Sequence, residues 1–398
     1  MRRLFVSVAL VAAAATLGFV AQGGLMVGQA VTSPPLVIDA PGVYDGGGAT
    51  IDVGCGAEHN VVINADGVTL RNYTLLNANE SAITIGGRTG TVIENVTIKG
   101  FNCADGQGQY LAGVACWGCT ALTVQDSHIE TSRTFGDGVW VKNYGSGSGG
   151  GHVFVRNTIV GGFDGIGGEP EDQPYGGVFR DALIRENVIR DCADDGIQVE
   201  GGNVNVRVLD NTVDGCALGV ALAPNVTGPL YVEHNLIRNL KVGYYGAQAC
   251  FKIGDGGAGA TFLTGNTCAT DGDGFKQTNP GLSPIVARGN CIQVSRYVIE
   301  TSGAFPPTAS FDFDRLWTSD PDRFIKWDGV RYADLASFNA ATGQELNGAA
   351  SPSCATSGAA PTPAPPEATP TPAPSTCEVL VRVDGVLQWI TKDISFCR

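Results

Sequence analysis

Carboxylates set the chemistry open to this sequence. The stretch CADDGIQVEG places Asp194 and Asp195 side by side and carries Glu200 near its end. An earlier phrase, FDGIGGE, repeats the spacing: Asp164 and Glu169 are five residues apart, as are Asp195 and Glu200. Hard carboxylate oxygens grouped in this way suit a calcium ion (Ca2+), and Asp164, Glu169, Asp194, Asp195 and Glu200 form the candidate ligand set. Crowded carboxylates repel one another, so a bound cation relieves a real cost. Paired carboxyl groups can also act as acid and base in glycoside hydrolysis. The plainer account is that Asp-Gly suits a turn, with Asp bonding the backbone and Gly adopting positive φ. Four such pairs, at Asp137, Asp164, Asp195 and Asp273, are more than one turn needs.

Composition narrows the partners. The chain has 398 residues and a net charge of −14, which disfavours nucleic acid because phosphate binding needs basic patches. Four scattered histidines give little support to metal-histidine or serine-histidine chemistry. All twelve cysteines lie beyond an N-terminal segment with Arg2, Arg3, a long apolar run and a small-residue GQA site. That segment reads as a signal peptide over residues 1–30, so the protein is expected to be secreted or held at the cell surface. An even number of cysteines in an exported chain favours disulfides. Cys116 and Cys119 lack a second pair and a nearby histidine, and read as structural.

The element that must position these residues is a repeat. Phrases such as VRNTIV, RENVIR, LDNTVD, EHNLIR, TGNTCA and RGNCIQ place Asn157, Asn187, Asn211, Asn235, Asn266 and Asn290 at intervals of 30, 24, 24, 31 and 24. Asn72, Asn95 and Ser127 read as earlier members of the series. A second marker is Gly followed by a hydrophobic residue, at Gly165, Gly196, Gly219, Gly243 and Gly274. Alternating apolar residues around each Asn require strands rather than helices. An all-strand period of 23–24 residues predicts an all-β, single-stranded parallel β-helix, with an internal asparagine ladder and coils ~4.8 Å apart. Strand alternation turns Trp140, Lys142, Gln198, Glu200, Tyr245 and Lys276 outward, and Trp140, Lys142 and Tyr245 are candidate substrate contacts.

The β-helix and its closing segment are expected over residues 31–350, with a short helix in the closing part. A Pro/Thr/Ala-rich linker follows over 351–376, then a small hairpin element over 377–398. Cys192 and Cys216 each lie five residues after a ladder asparagine, so they are expected to stack and form a disulfide. A Cys377–Cys397 bridge is expected to close the terminal element.

The N-x-[IV]…D-G-[IV] rhythm, the opening YDGGGATIDV and the closing KWDG…FNAATGQE resemble secreted right-handed parallel β-helix repeat proteins of the pectate-lyase-like superfamily. The resemblance covers roughly Val37 to Glu345. It implies a groove along the sheet that follows the D-G turn. GDGFKQTN with Lys276 is similar to the stretch carrying the base in one class of calcium-dependent pectate lyases, and CFKIG with Lys252 is a second match. These imply calcium-assisted β-elimination of a uronic-acid polysaccharide, with Lys252 or Lys276 taking the proton. DGI and DDGI at Asp164 and Asp194–Asp195 also resemble β-helix polygalacturonases, although no histidine lies near Leu218–Gly219. From another class, a non-catalytic adhesin-like or polysaccharide-binding protein fits the same fold, because fold does not fix function. A polysaccharide partner, a monomeric state, and contact with a cell wall or envelope through the C-terminal element complete the expectations.

Overall fold

The computed structural model describes residues 33–103, 111–145, 149–168, 175–352 and 354, together with the backbone of 376–383 and 386–393. The expected signal peptide, Glu169, most of the expected linker and Cys397 lie outside these residues.

Short strands of two to six residues cycle through three sheets and then return to the first. The sheets contain 13, 11 and 12 strands. Within the coils every pairing is parallel, and each strand pairs with its equivalent one turn earlier and one turn later. The chain therefore forms a parallel β-helix. In the third sheet Ile98, Ile129, Ile159, Ile189, Val213, Ile237, Cys268, Ile292 and Leu316 stack in one register. All are buried. β-branched side chains suit this pleated, enclosed surface, and each contributes roughly 1.5–3 kcal/mol by leaving water.

The asparagine ladder runs inside the corner between the second and third sheets. From Asn157 to Asn290, each side-chain amide donates to the Oδ1 of the next member at 2.9 to 3.0 Å. The last acceptor is Asp314, whose own amide donates to Glu345 Oε2 at 3.2 Å. Ser127 occupies the equivalent position, and its amide donates to Asn157 Oδ1. Asn72 and Asn95 do not belong to the ladder. They sit one residue earlier, at the left-handed turn position that Arg156, Glu186 and Asp210 fill in later coils. Asparagine tolerates positive φ, and these two bond to each other on the exposed surface at 2.7 Å.

The D-G glycines are not at positive φ. A Cβ on Gly165 would lie 2.3 Å from Ile189 Cγ2 and 2.5 Å from the Gly196 carbonyl. Glycine is required there because the next coil and the opposite sheet leave no room.

The last coil is closed by the helix Leu335–Thr342, capped by Asp334 and by Gly343 in the left-handed conformation. Its Phe338 packs against Trp327 and Tyr332. Strands Thr376–Val383 and Val386–Asp393 pair antiparallel, as a hairpin requires.

Among the described residues four disulfides link Cys55–Cys103, Cys116–Cys119, Cys250–Cys268 and Cys291–Cys354. The expected Cys192–Cys216 bridge is not formed. Both are buried free thiols, stacked as their spacing requires, and the Cys192 amide donates to Cys216 Sγ at 3.2 Å. Equivalent positions on neighbouring coils bring the sulfurs together, but stacking alone does not oxidise them.

Candidate active site

The Asp-Gly register places Asp137, Asp164 and Asp195 on three successive coils at the entry to the first sheet. All three are buried. One oxygen of each of two carboxylates serves the fold. Asp137 Oδ1 accepts from the Asp164 amide at 3.2 Å, and Asp164 Oδ1 from the Asp195 amide at 2.8 Å. This is Asp bonding backbone, as a turn residue would, but across coils rather than within its own turn.

The remaining oxygens converge. Asp164, Asp194 and Asp195 each bring a carboxylate oxygen within 4.8 Å of the others. Asp195 Oδ1 is buried and meets no hydrogen-bond donor. Between Trp140 and Gln198 the outward position is Gly167, and a Cβ there would stand 3.1 Å from Asp137 Oδ2 and 3.5 Å from Asp164 Oδ2. The missing side chain leaves a notch beside both carboxylates.

Lys252 is the cation that answers this charge. Its strand, Ala249–Ile253, lies two coils beyond Asp195. The coil between presents Ala221 at the matching position. The small alanine lets the lysine stem reach back, so that Nζ lies 3.5 Å from Asp195 Oδ2 and 2.9 Å from Glu200 Oε1.

Proton affinities follow from burial against this single cation. Burial raises Asp164 well above the ordinary carboxylate range, and the charges of Asp137, Asp195 and Asp194 add to it. Burial, then Asp195, pushes Asp194 up to about 7, with Lys252 opposing. Burial likewise raises Asp195, opposed by Lys252, and raises Glu200 to about 8. For Lys252 itself, burial disfavours the charge, but Asp195 and Glu200 outweigh it and raise its pKa. The group is a fixed ammonium. That arrangement opposes the expected role of Lys252 as base, because a base must first lose its proton.

Lys276 is not part of this cluster. It lies three coils from Asp195, with Nζ 3.1 Å from Asp273 Oδ2 and 2.5 Å from Glu300 Oε2. The two carboxylates hold it as a cation too.

The expected substrate contacts divide. Trp140 faces outward but is only 2% exposed, because Trp117 covers it edge-on with ring centres 4.6 Å apart. It is a packing residue and offers no face to a ligand. Lys142 pairs in register with Trp117 at the end of Asp137–Lys142 away from the aspartate column. Tyr245 is 68% exposed, but it is not a strand residue. Gly243–Tyr244 lies in a loop before the coil resumes at Ala249, where Cys250 takes the position expected for the glycine. The loop folds back onto an earlier coil: the Tyr244 amide donates to the Ala193 carbonyl at 2.9 Å. A Cβ at Gly243 would strike Ala217 Cβ at 2.1 Å, so glycine permits this approach.

The loop builds an aromatic shelf that spacing alone does not reveal. Tyr244 and Tyr245 meet Phe163, and Tyr244 also meets Phe135, with ring centres 5.4 to 6.0 Å apart. The Tyr245 phenol has a raised pKa, through burial first and then the charge of Asp194.

As a cation site, the free oxygens of Asp164, Asp194 and Asp195 fit a hard ion, with water completing the shell. Glu200 is committed to Lys252.

The fold and this cluster define a β-solenoid with a carboxylate-lined site on one sheet. Residues 59–267 match the family described as the right-handed β-helix region, and the chain belongs to that family. No curated protein matches the sequence. Among solved structures, a mutant tailspike protein of E. coli bacteriophage HK620, in complex with a pentasaccharide, is similar at 12% identity and a TM-score of 0.25. The match covers 72% of this chain and 58% of that one, and no activity carries over at that level.

Proposed function

We propose that the chain is an exported, carbohydrate-active β-helix protein that hydrolyses a glycosidic bond beside the first sheet. The observation that carries this reading is the Lys252 ammonium, fixed between Asp195 and Glu200 beneath a group of carboxyls with raised proton affinity. Paired carboxyl groups in unlike environments are what acid–base cleavage of a glycoside needs. Asp194, with a pKa near 7, keeps a proton at neutral pH and gives it to the leaving oxygen. Asp195, whose charge Lys252 balances, is the paired carboxylate; oxygens within 4.8 Å of each other match the close pair of a retaining glycosidase rather than the wider pair that seats a water. Asp164, without a cation of its own, stays protonated and donates a hydrogen bond within the site. Tyr244 and Tyr245 offer ring faces to the sugar.

A second reading, calcium-assisted β-elimination of a uronic-acid polysaccharide, is favoured by the partnerless Asp195 Oδ1 among the convergent oxygens. Asp164, Asp194 and Asp195 would hold the ion, which would neutralise the substrate carboxylate and acidify the adjacent C–H. In this reading the two carboxylates around Lys252 still oppose its work as base.

Incubation with neutral and uronic-acid polysaccharides, with and without chelator, separates the readings. New reducing ends without ultraviolet-absorbing product, unaffected by chelator, support hydrolysis. Unsaturated product that chelator abolishes overturns it in favour of elimination. Binding without turnover overturns both in favour of a non-catalytic surface protein.

A further inference from the structure

A second groove lies away from the carboxylate cluster, where the third sheet turns toward the first. Its volume is about 410 Å3, and Asn239, Thr270, Asp271, Gln293, Ser295 and Trp317 line it. These residues come from successive coils, so the groove runs along the solenoid axis for roughly three coil spacings, ~14 Å. Trp317 closes one end. It stands in register after Ala269 and Gln293, two coils and one coil away.

Trp317 differs from the other tryptophans described. Trp140 is buried beneath Trp117, and Trp327 packs against Phe305, Phe311 and Phe338. Trp317 is half-buried and has no ring partner among the described residues. The polar side chains beside it are fixed in place. Asn239 Nδ2 donates to Asp214 at 2.9 Å, Ser295 Oγ donates to Asp271 Oδ1 at 3.1 Å, and Gln293 Nε2 donates to the Pro352 carbonyl. Groups held this way lose little freedom when a ligand arrives.

We propose that this groove is a second, non-catalytic glycan-binding site for a neutral, hydroxyl-rich oligosaccharide. An unpartnered indole gives an apolar face for the C–H side of a sugar ring, and the amides, hydroxyls and Asp271 carboxylate give the few directed polar contacts of a ligand site. Among the described residues no cationic side chain lines the groove, which disfavours acidic sugars, and the single carboxylate there is too few for a metal. The site stands on its own residues and does not depend on the reaction proposed for the Asp194 cluster.

The test is calorimetric titration of the full chain and of Asp194→Asn with cellohexaose, mannohexaose and xylohexaose, and with hexagalacturonate as the acidic comparator. At least one neutral oligosaccharide should bind both proteins alike. Trp317→Ala should weaken that binding about tenfold or more, and the exposed substitution Asp271→Asn severalfold. Should Trp317→Ala lower the melting temperature, Asp271→Asn alone decides. Absence of neutral binding, preference for hexagalacturonate, or unchanged affinity in Asp271→Asn would each overturn the proposal. Turnover retained in Asp271→Asn while its neutral-oligosaccharide binding weakens separates this site from the catalytic one.

Discussion

Lys252 Nζ lies 2.9 Å from Glu200 Oε1, across two coils of the solenoid. The contact joins residues far apart in sequence and places a positive charge under a carboxylate group that burial alone would neutralise. Lys252→Met removes the cation and leaves Asp195 and Glu200 buried together. Breaking such a pair costs ~3–5 kcal/mol when fully buried, and Lys252 is 17% exposed, so the lower end applies. The loss should be large at pH 8 and small at pH 5, where the carboxyls are protonated. Chemical denaturation at the two pH values checks this, and an equal loss at both would contradict the pairing.

Asp194→Asn keeps the shape of the side chain and removes its titration. Turnover should fall by roughly 10^2 to 10^4, the usual contribution of a general acid. The wild-type rate should decline above pH 7 as Asp194 loses its proton, given its pKa of about 7. The residual rate of the variant should lack that alkaline limb. Initial-rate profiles on the substrate found in the polysaccharide panel make the comparison.

Stability without added cation should fall as pH rises. Asp194, Glu200 and Glu345 have folded pKa values raised to about 7, 8 and 10. The folded state therefore holds protons that the unfolded chain has already released, and stability is lost as pH climbs through each folded value. Melting temperatures from pH 5 to 10 should decline, and Glu345→Gln should lessen the fall near pH 10. If calcium occupies the carboxylate cluster, millimolar calcium should flatten the fall between pH 6 and 8 and leave the Glu345 part unchanged. These pH ranges bracket the folded values.

Asn211→Ala breaks the ladder in the middle. It deletes the donor to Asn235 Oδ1 and the acceptor for the Asn187 side-chain amide. Buried groups left unpaired cost ~1–3 kcal/mol each. A loss on the order of 3 kcal/mol or more in urea denaturation is expected, whereas Asn72→Ala, on the exposed turn, should cost far less.

Cys192 and Cys216 should alkylate only after unfolding. Peptide mapping without reduction should recover the four bridged pairs intact and these two cysteines labelled. A Cys192–Cys216 cross-linked peptide would overturn the assignment.

Much of this molecule was legible as periodicity. Asparagine spacing from Asn157 onward gave the coil length, because an amide that bonds its own kind must recur once per turn. The D-G register placed Asp164 and Asp195 on neighbouring coils for the same reason. Where a loop interrupts the period, spacing no longer marks the coil. Gly243–Tyr244 resembles a coil marker, but the coil resumes at Ala249, and Tyr245 lies on the intervening loop. Asn72 and Asn95 slipped by one residue because asparagine suits both the ladder and the left-handed turn beside it.

The sequence by itself determined the solenoid, its aspartate column and its closing helix, since these rest on local repeat and residue shape. Tertiary structure decided which outward residues stay accessible and which charges meet. Trp140 is covered by Trp117 one coil away, Lys252 reaches back over Ala221, and the loop that carries Tyr244 and Tyr245 returns over Ala193. Each outcome depends on the size of a side chain on another coil and on the path of a loop, and neither is written in the spacing of the residues concerned.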